Sequence, residues 1–394
     1  MPSPSVLLVA AAVDALSDEL TMIRRDLHAN PELAWHEERT TALVAKRLGD
    51  AGIDVQLLPR SGLLAEVGSH DGPVVGLRAD LDALPVEDRG GEPWASTVAG
   101  AAHACGHDVH TTALIGAGLA LAEAHERSPL PGRVRLIFQP AEEIMPGGAL
   151  ELIAAGALEG LTRVFCLHCD PSLDVGTVGL RVGPLTGAAD SLRVRLIGHG
   201  GHTSRPHLTE DLTYALSKLV TDLPGALSRR LDPRAGASLV WGMVRAGSAT
   251  NVIPSTGEVA GTLRMLDPVA WADAGELVEE LIGQIVSPYG VDAEIDYIRG
   301  VPPVVNEPTA TAMLAQAVEG MLGESGHVPT VQSLGGEDFA WFVEQVPGAM
   351  GRLGTRTPGG RTYDLHQGDL RIDERAIAVG AKVLAAAAIE ALGT

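Results

Sequence analysis

The chain is built around eight residues, His103-Ala104-Cys105-Gly106-His107-Asp108-Val109-His110. They carry one thiol, three imidazoles and one carboxylate. Cys105 and His107 flank a glycine, which lets the backbone turn sharply and direct both side chains at one point. A thiolate and a neutral imidazole are ligands that suit zinc and other late divalent metals. The stretch therefore predicts part of a metal site, and the alternative is a helix start that happens to carry histidines.

Around this stretch, strand-like runs alternate with helical ones. Three runs have the apolar character of buried strands: Val74–Ala79, Val134–Phe138 and Val164–Leu167. Helical patterns separate them, which predicts a mostly parallel sheet flanked by helices. Polar residues follow the end of each strand: Asp80 and Asp82, Glu142 and Glu143, and His168. Ligands bind at this carboxyl edge in open α/β sheets, so we expect these side chains to form one site.

The pattern changes at about residue 186. Residues 186–299 read as strand, helix, two strands, helix and strand, which is the ferredoxin-like order βαββαβ. The α/β character returns from residue 300. We therefore expect a first domain made of 1–185 and 300–394, with 186–299 inserted into it.

The composition excludes several classes of partner. The formal net charge of the 394-residue chain is -21, which argues against nucleic acids and anionic membranes, because both attract clustered Lys and Arg. No apolar run reaches the roughly 18 residues of a membrane span. Three cysteines do not make a disulfide framework, so a reducing cytoplasm is expected. Cys166 and Cys169 lack a second pair for a zinc ribbon and are expected to be buried apolar side chains.

A divalent-metal hydrolase needs a few N, O and S ligands and a carboxylate that takes a proton from water. A set of that size is present: Cys105, His107, Glu142 or Glu143, His168 and His366. The paired glutamates suggest one ligand and one general base. The alternative is a solvated helix start, where the helix dipole favours acidic side chains. His103 and His110 are left open, as supports of the ligands or as core residues.

The chain resembles a known family in several motifs that occur in one order. They are RADLDALP (78–85), HACGHDVHTT (103–112), QPAEE (139–143), the strand-end His168, GHGGHTSRPH (198–207), NVIP (251–254) and GGEDF (335–339). Together they are similar to the M20 metallopeptidase family, and most similar to its amidohydrolase branch of aminoacylases, hippurate hydrolases and indoleacetyl-amino-acid hydrolases. The resemblance implies a zinc-peptidase-like α/β fold, in which 186–299 is a lid and dimerisation domain.

The resemblance also implies roles for single residues. The implied metal ligands are Cys105, His107, Glu143, His168 and His366. Glu142 is implied to be the general acid/base, and Asp82 a catalytic carboxylate that orients the ligands. His202, thought to reach an active site that is often the partner's, would stabilise the oxyanion, and Asn251 would bind substrate. One or two divalent ions are expected, zinc or manganese first, with cobalt or nickel as further candidates.

The predicted function is hydrolysis of the amide bond of N-acyl-amino acids by a metal-activated water, in a homodimer formed through the inserted domain. A dipeptidase, a carboxypeptidase or an N-acetyl-diaminopimelate deacetylase is the alternative within the family. A more remote alternative is a non-catalytic, metal-loaded binding protein. One departure bears on substrate choice: Gln367-Gly368 follow His366, where many members of the branch have Ser-Pro or Asn-Pro.

Overall fold

The structure is a computed structural model that describes residues 4–393. It divides into two compact units. Unit 1 contains the described residues up to Leu185, Val305–Val331, and the described residues from Trp341 onward. Unit 2 contains Thr186–Val304 and Gln332–Ala340. Residues 1–3 and 394, which the predicted domain segments include, lie outside the described residues.

The strands vary in length from 2 to 14 residues. In chain order they are β1 (Val55–Leu57), β2 (Leu63–Gly68), β3 (Val74–Asp80), β4 (Arg133–Gln139), β5 (Leu161–Asp174), β6 (Val178–Leu180), β7 (Gly183–Pro184), β8 (Ala188–Ile197), β9 (Gly201–His202), β10 (Ser238–Ala246), β11 (Val252–Ile253), β12 (Thr256–Met265), β13 (Asp292–Val301), β14 (Val305–Asn306), β15 (His327–Pro329) and β16 (Gly348–Arg356).

The helices vary from single turns to long α-helices. They are α1 (Pro4–Ala29), α2 (Glu38–Asp50), α3 (His107–Arg127), α4 (Ala149–Ala154), α5 (Leu212–Arg230), α6 (Pro268–Ala272), α7 (Ala274–Val286), α8 (Pro308–Leu322), α9 (Ala340–Val343) and α10 (Arg375–Leu392), with 3₁₀ turns at Pro206–Leu208, Pro233–Ala235, Ser287–Tyr289 and Glu324–Gly326. Among the described residues, no helix is both long and apolar enough to cross a membrane.

Unit 1 has a mixed, mostly parallel sheet in the order β1-β2-β4-β3-β5-β16-β6-β15. Its centre is parallel, since β3 pairs in parallel with β4 and β5, and β5 with β16. β1, β2 and β4 form an antiparallel edge. Helices α1, α3, α8 and α10 pack against one another beside this sheet. The predicted α/β fold with a mostly parallel sheet is confirmed.

Helix α3 is the central helix of unit 1 and carries the candidate ligands at its start. It is apolar nearly all round, which is typical of a helix buried on every side. Two of its glycines allow this close packing. A Cβ on Gly116 would meet Leu20 at 2.7 Å, and a Cβ on Gly118 would meet Leu136 at 2.4 Å.

The central strand β16 has no predicted counterpart. Its sequence is rich in glycine, which is depleted in strands, so the pattern does not predict one. The glycines are required by packing against β5. A Cβ on Gly348 would meet the carbonyl oxygen of Val164 at 2.4 Å, and one on Gly351 would meet Leu167 at 2.9 Å.

Unit 2 has an antiparallel sheet in the order β10-β12-β8-β13, against which α5 and α7 pack. The order of its main elements is βαββαβ, as expected, while its role as a lid stays a prediction. Helix α5 continues through Pro224 to Arg230. Residues 332–340, from the second segment of the predicted first domain, pack with unit 2.

Candidate metal centre

The start of α3 places Cys105 and His107 side by side. Gly106 between them has a φ of 87°, a conformation that suits glycine, and a Cβ there would meet Cys169 Sγ at 2.9 Å. Both candidate ligands are buried. His168, within β5, points its Nε2 at Cys105 Sγ, 3.5 Å away. One ligand atom from each of Cys105, His107 and His168 lies within 4.8 Å of the other two.

The turn after β4 brings two glutamates to the same place. Glu142 Oε2 lies 3.9 Å and Glu143 Oε1 lies 3.7 Å from His107 Nε2. Glu143 Oε2 lies 3.4 Å from His366 Nε2. Cys105, Glu143 and His366 form another group whose ligand atoms lie within 4.8 Å of one another. The structure thus brings the five predicted metal ligands and Glu142 together in overlapping groups.

The ring of His107 is the most informative feature of this cluster. Its side chain is fully buried, and among the described residues neither of its nitrogens makes a hydrogen bond. Glu143 Oε1 is also a buried atom that makes no hydrogen bond among the described residues. Buried polar atoms without a partner are rare, so an acceptor of their lone pairs is expected here. Imidazole, thiolate and carboxylate are the donors that zinc-type ions take, and the residues present fit a divalent metal.

Asp82 contacts the backbone that carries both glutamates. Its Oδ1 accepts the main-chain N–H of Glu142 at 3.0 Å, and its Oδ2 accepts that of Glu143 at 2.9 Å. Oδ1 also lies 3.3 Å from Nδ1 of His107. The buried Asp82 carboxylate therefore fixes the main chain of Glu142 and Glu143 and also faces the His107 ring.

Asp80 and His110 form a second support, through a contact between them that the sequence does not show. His110 Nδ1 donates to Asp80 Oδ1 at 2.6 Å, and His110 Nε2 accepts the main-chain N–H of Cys169 at 2.8 Å. These two bonds fix the neutral tautomer of His110 and tie α3 to the residue next to His168. In the sequence, Asp80 stands out as a polar residue at a strand end, and His110 lies three residues after His107, which places both histidines on one side of α3.

The charges around His107 and Cys105 favour a cation. Burial alone would lower the pKa of His107, but Asp80, Cys105 and Asp82 raise it well above its ordinary value. Burial raises the pKa of the Cys105 thiol well above its usual range. A divalent ion would supply the positive charge that releases both protons. Burial, with His110 nearby, lowers the pKa of His168 well below its ordinary value, which keeps it in the neutral form that binds metals.

His366 is held differently. Its side chain is 55% exposed, its φ is 61°, and its main-chain N–H donates to the carbonyl oxygen of Ala104 at 2.7 Å. A hydrogen bond with Glu143 raises the pKa of His366. The following Gly368 has a packing reason, since a Cβ there would meet the carbonyl oxygen of Glu87 at 2.0 Å. A residue with a side chain would therefore need a shift of the chain at this position.

In unit 2 the structure places His202 and Asn251 on neighbouring segments. β9 pairs with β11, so that His202 lies opposite Val252, and Thr203 N–H donates to the carbonyl oxygen of Asn251 at 3.3 Å. The His202 ring is exposed, and its Nδ1 accepts the main-chain N–H of Ser204 at 3.1 Å. A neutral His202 therefore carries its proton on Nε2, which makes that atom a hydrogen-bond donor.

The remaining cysteines and His103 lie in the core. Cys166 and Cys169 are buried and not in disulfides, as expected. His103 is buried with no hydrogen bond to its ring nitrogens from the part of the chain that the structure describes. Burial lowers the pKa of His103 to about 3, so its ring is neutral at physiological pH.

Comparison with known proteins shows the family of this chain. The model of Peptidase family M20/M25/M40 matches residues 76–390. The chain therefore belongs to this family of peptidases and is a hydrolase.

The relatives carry different names. The chain is 37% identical to N-acetyl-L-cysteine deacetylase from Bacillus subtilis over 93% of its own length and 86% of that protein. It is 50% identical to "Putative glutamate--cysteine ligase 2-3" from Rhodococcus jostii over 92% of its length, but spans only 45% of that longer protein.

A solved structure matches nearly the whole chain. The crystal structure of YxeP from Bacillus subtilis, described as a dinuclear metal binding peptidase from the M20 family, superposes with a TM-score of 0.84. The two chains are 34% identical, and the match covers 97% of this chain and 99% of YxeP.

Proposed function

We propose that this hydrolase cleaves the amide bond of N-acyl-amino acids and depends on a divalent metal. The observation that carries the metal is the fully buried His107 ring, which faces a thiol and carboxylates while its nitrogens lack hydrogen bonds among the described residues. The substrate class rests on the motifs and on the relative named as a deacetylase of an N-acylated amino acid.

In this proposal Cys105, His107, Glu143, His168 and His366 hold one or two ions, zinc or manganese first. The description of YxeP as a dinuclear metal binding peptidase supports two ions. When bound, the ion polarises the amide carbonyl and makes water more acidic. Asp82 keeps Glu142 and Glu143 in place through their main-chain N–H groups, and it faces the His107 ring.

Glu142 is the proposed general acid/base. Its Oε2 lies near His107 Nε2, at 3.9 Å, which is consistent with a position beside the ligands. Glu142 takes a proton from the attacking water as the water adds to the amide carbon. It then gives that proton to the amine nitrogen as the amide bond breaks.

His202 is the proposed donor to the oxyanion, and Asn251 the proposed substrate-binding residue. Because Nδ1 of His202 accepts the Ser204 N–H, its Nε2–H is available for an oxygen that gains negative charge. A well-placed donor of this kind lowers a barrier by about 3–4 kcal/mol.

We also propose a homodimer through unit 2, located in the cytoplasm. Strand β10 lies at the edge of its sheet and exposes Val240 and Val244, which supports pairing with a second copy. The three cysteines outside disulfides are consistent with a reducing compartment. Light scattering of the purified protein measures the oligomeric state.

The test is turnover by Glu142→Gln. We expect kcat to fall by about 10²–10⁴-fold, the usual contribution of a general acid/base, while the metal content stays unchanged. The control is Glu151→Gln, which alters an exposed glutamate paired with Arg60. The assay compares N-acetyl-amino acids and hippurate with dipeptides, and includes a chelator followed by added metal. Retained activity in Glu142→Gln would remove this residue from the mechanism, and preference for dipeptides would favour the dipeptidase alternative.

A further inference from the structure

The turn that carries the proposed base is held by two buried carboxylates. Three consecutive main-chain N–H groups point to them. Asp82 accepts those of Glu142 and Glu143. Glu37 Oε1 accepts that of Ala141 at 2.8 Å. Ala141 has a φ of 54°, a left-handed conformation that costs an alanine roughly 1–2 kcal/mol and needs support from its surroundings.

Glu37 comes from a distant part of unit 1. It precedes helix α2 and is fully buried. Its Oε1 also accepts the main-chain N–H of Trp35 at 3.0 Å, and its Oε2 accepts the hydroxyl of Ser61 at 2.6 Å. Burial raises the pKa of this carboxyl. A side chain this buried and this well bonded has one defined position, and Ala141 is bonded to it.

We infer that Glu37 is a positioning residue, which acts through the Ala141 N–H to keep Glu142 in its working place. The inference rests on the proposed function, because it assumes that Glu142 is the general acid/base. The main chain at Ala141 directly precedes Glu142, so a change in its dihedral angles moves the Glu142 carboxylate.

The positions of the two Glu37 oxygen atoms, rather than their charge, hold the Ala141 N–H in place. Glu37 Oε1 takes both main-chain donors, and Oε2 takes only a hydroxyl. Glutamine can reproduce this arrangement, because its amide oxygen accepts the two N–H groups and its NH₂ donates to Ser61, whose hydroxyl can also accept. Aspartate keeps the charge but is one methylene shorter, so it cannot reach Trp35, Ala141 and Ser61 together.

The experiment compares kcat and KM of the metal-loaded full chain for Glu37→Gln, Glu37→Asp and Glu32→Ala. Glu32 is the matched control, since it also accepts main-chain N–H groups at the start of α2, from Arg39 and Thr40, but none from the turn. We expect Glu37→Asp to lose about 10²-fold in kcat, the effect of roughly 1 Å of misplacement, with little change in KM. Glu37→Gln and Glu32→Ala should keep kcat near that of the wild type.

A second readout does not depend on activity. Hydrogen-exchange mass spectrometry of the metal-free chain follows the peptide that contains 141–143. The exchange rate of this peptide should be higher in Glu37→Asp than in the wild type. In Glu32→Ala it should equal that of the wild type. If the wild type hydrolyses no acyl-amino acid, the proposed function is wrong. If the exchange rate of this peptide in Glu37→Asp equals that of the wild type, this inference alone is wrong.

Other results of these experiments also test the positioning role of Glu37. If Glu37→Asp keeps kcat while Glu37→Gln loses it, the charge matters and the inference is wrong. If Glu37→Asp does not fold, the double variant Glu37→Gln with Ser61→Ala replaces it. That variant leaves the new amide nitrogen without the Ser61 hydroxyl, and its kcat should fall below that of Glu37→Gln alone. An equal kcat in the two would contradict the positioning role.

Discussion

The stretch His103–His110 and the loop around His366 both supply candidate metal ligands, but they are held in different ways. Cys105 and His107 lie at the turn that begins the buried helix α3, where Gly106 has a positive φ and a Cβ would meet Cys169 Sγ at 2.9 Å. His366 stands in a loop, with more than half of its side chain exposed and one main-chain bond to Ala104.

This difference suggests a division within the site. The buried wall, Cys105, His107 and His168, lies in the packed core, where Asp82 faces the His107 ring and His110 bonds the main chain of Cys169, next to His168. His366 closes the set from the exposed side. We therefore expect the buried ligands to decide whether metal binds, and His366 to adjust how tightly it is kept.

The largest effect is expected for Cys105→Ala. It removes the sulfur ligand from the buried wall, where no water can easily take its place, and the metal affinity should fall by more than about 100-fold. Competition with a metal-sensitive chelator measures this. Cys166→Ala, which alters another buried free cysteine, serves as the control. Unchanged affinity in Cys105→Ala would refute its role as a ligand.

The next effect is expected for Asp82→Asn. The amide cannot accept the N–H groups of both Glu142 and Glu143, so one bond is lost and the glutamates shift. Metal affinity should drop by about 10–100-fold, the usual range for a group that supports ligands. Isothermal titration with zinc measures it, and affinity equal to that of the wild type would show that Asp82 does not orient the site.

A smaller effect is expected for His366→Ala. Water can replace an exposed ligand, so metal affinity should fall only by about tenfold, less than for Cys105→Ala. The same competition assay ranks the two variants. A larger loss in His366→Ala than in Cys105→Ala would reverse the proposed order of the two regions.

The smallest effect concerns stability near neutral pH and lies inside the buried stretch. The pKa of His103 is about 3 in the folded chain and about 6.5 when unfolded, so below pH 6.5 the unfolded state binds one more proton. Through His103 alone, the metal-free protein should lose about 1 kcal/mol of stability as the pH falls from about 6.5 to about 5.5. Urea unfolding of wild type and His103→Gln tests this, and equal slopes would contradict it.

The sequence predicts most of the fold because apolar strands and amphipathic helices leave strong patterns. Strand β16 is not predicted because it is rich in glycine, which is rare in strands. The glycines are needed where β16 packs against Val164 and Leu167 of β5. Residues 332–340 pack with unit 2 although they lie within a segment predicted for the first domain, since sequence order does not show which unit a loop joins.

The candidate ligands could be found because their motifs are local and dense in N, O and S donors. Of the residues that support them, Asp82 could be named from the family resemblance, but Glu37 could not, and neither could the bonds of Asp80 and His110. Glu37 lies 104 positions before Ala141, and only the fold brings the two together. Asp80 and His110 are visible as polar residues, but their shared bond, and the bond of His110 to Cys169, are tertiary contacts.

Above all, we propose that the Cys105 sulfur is a ligand of the metal. X-ray absorption spectroscopy of the zinc-loaded protein tests it most directly. The wild type should show a sulfur shell at about 2.3 Å beside nitrogen and oxygen at about 2.0–2.1 Å, and Cys105→Ser should lose the sulfur shell while His366→Ala keeps it. A wild-type spectrum with nitrogen and oxygen neighbours alone would contradict the account.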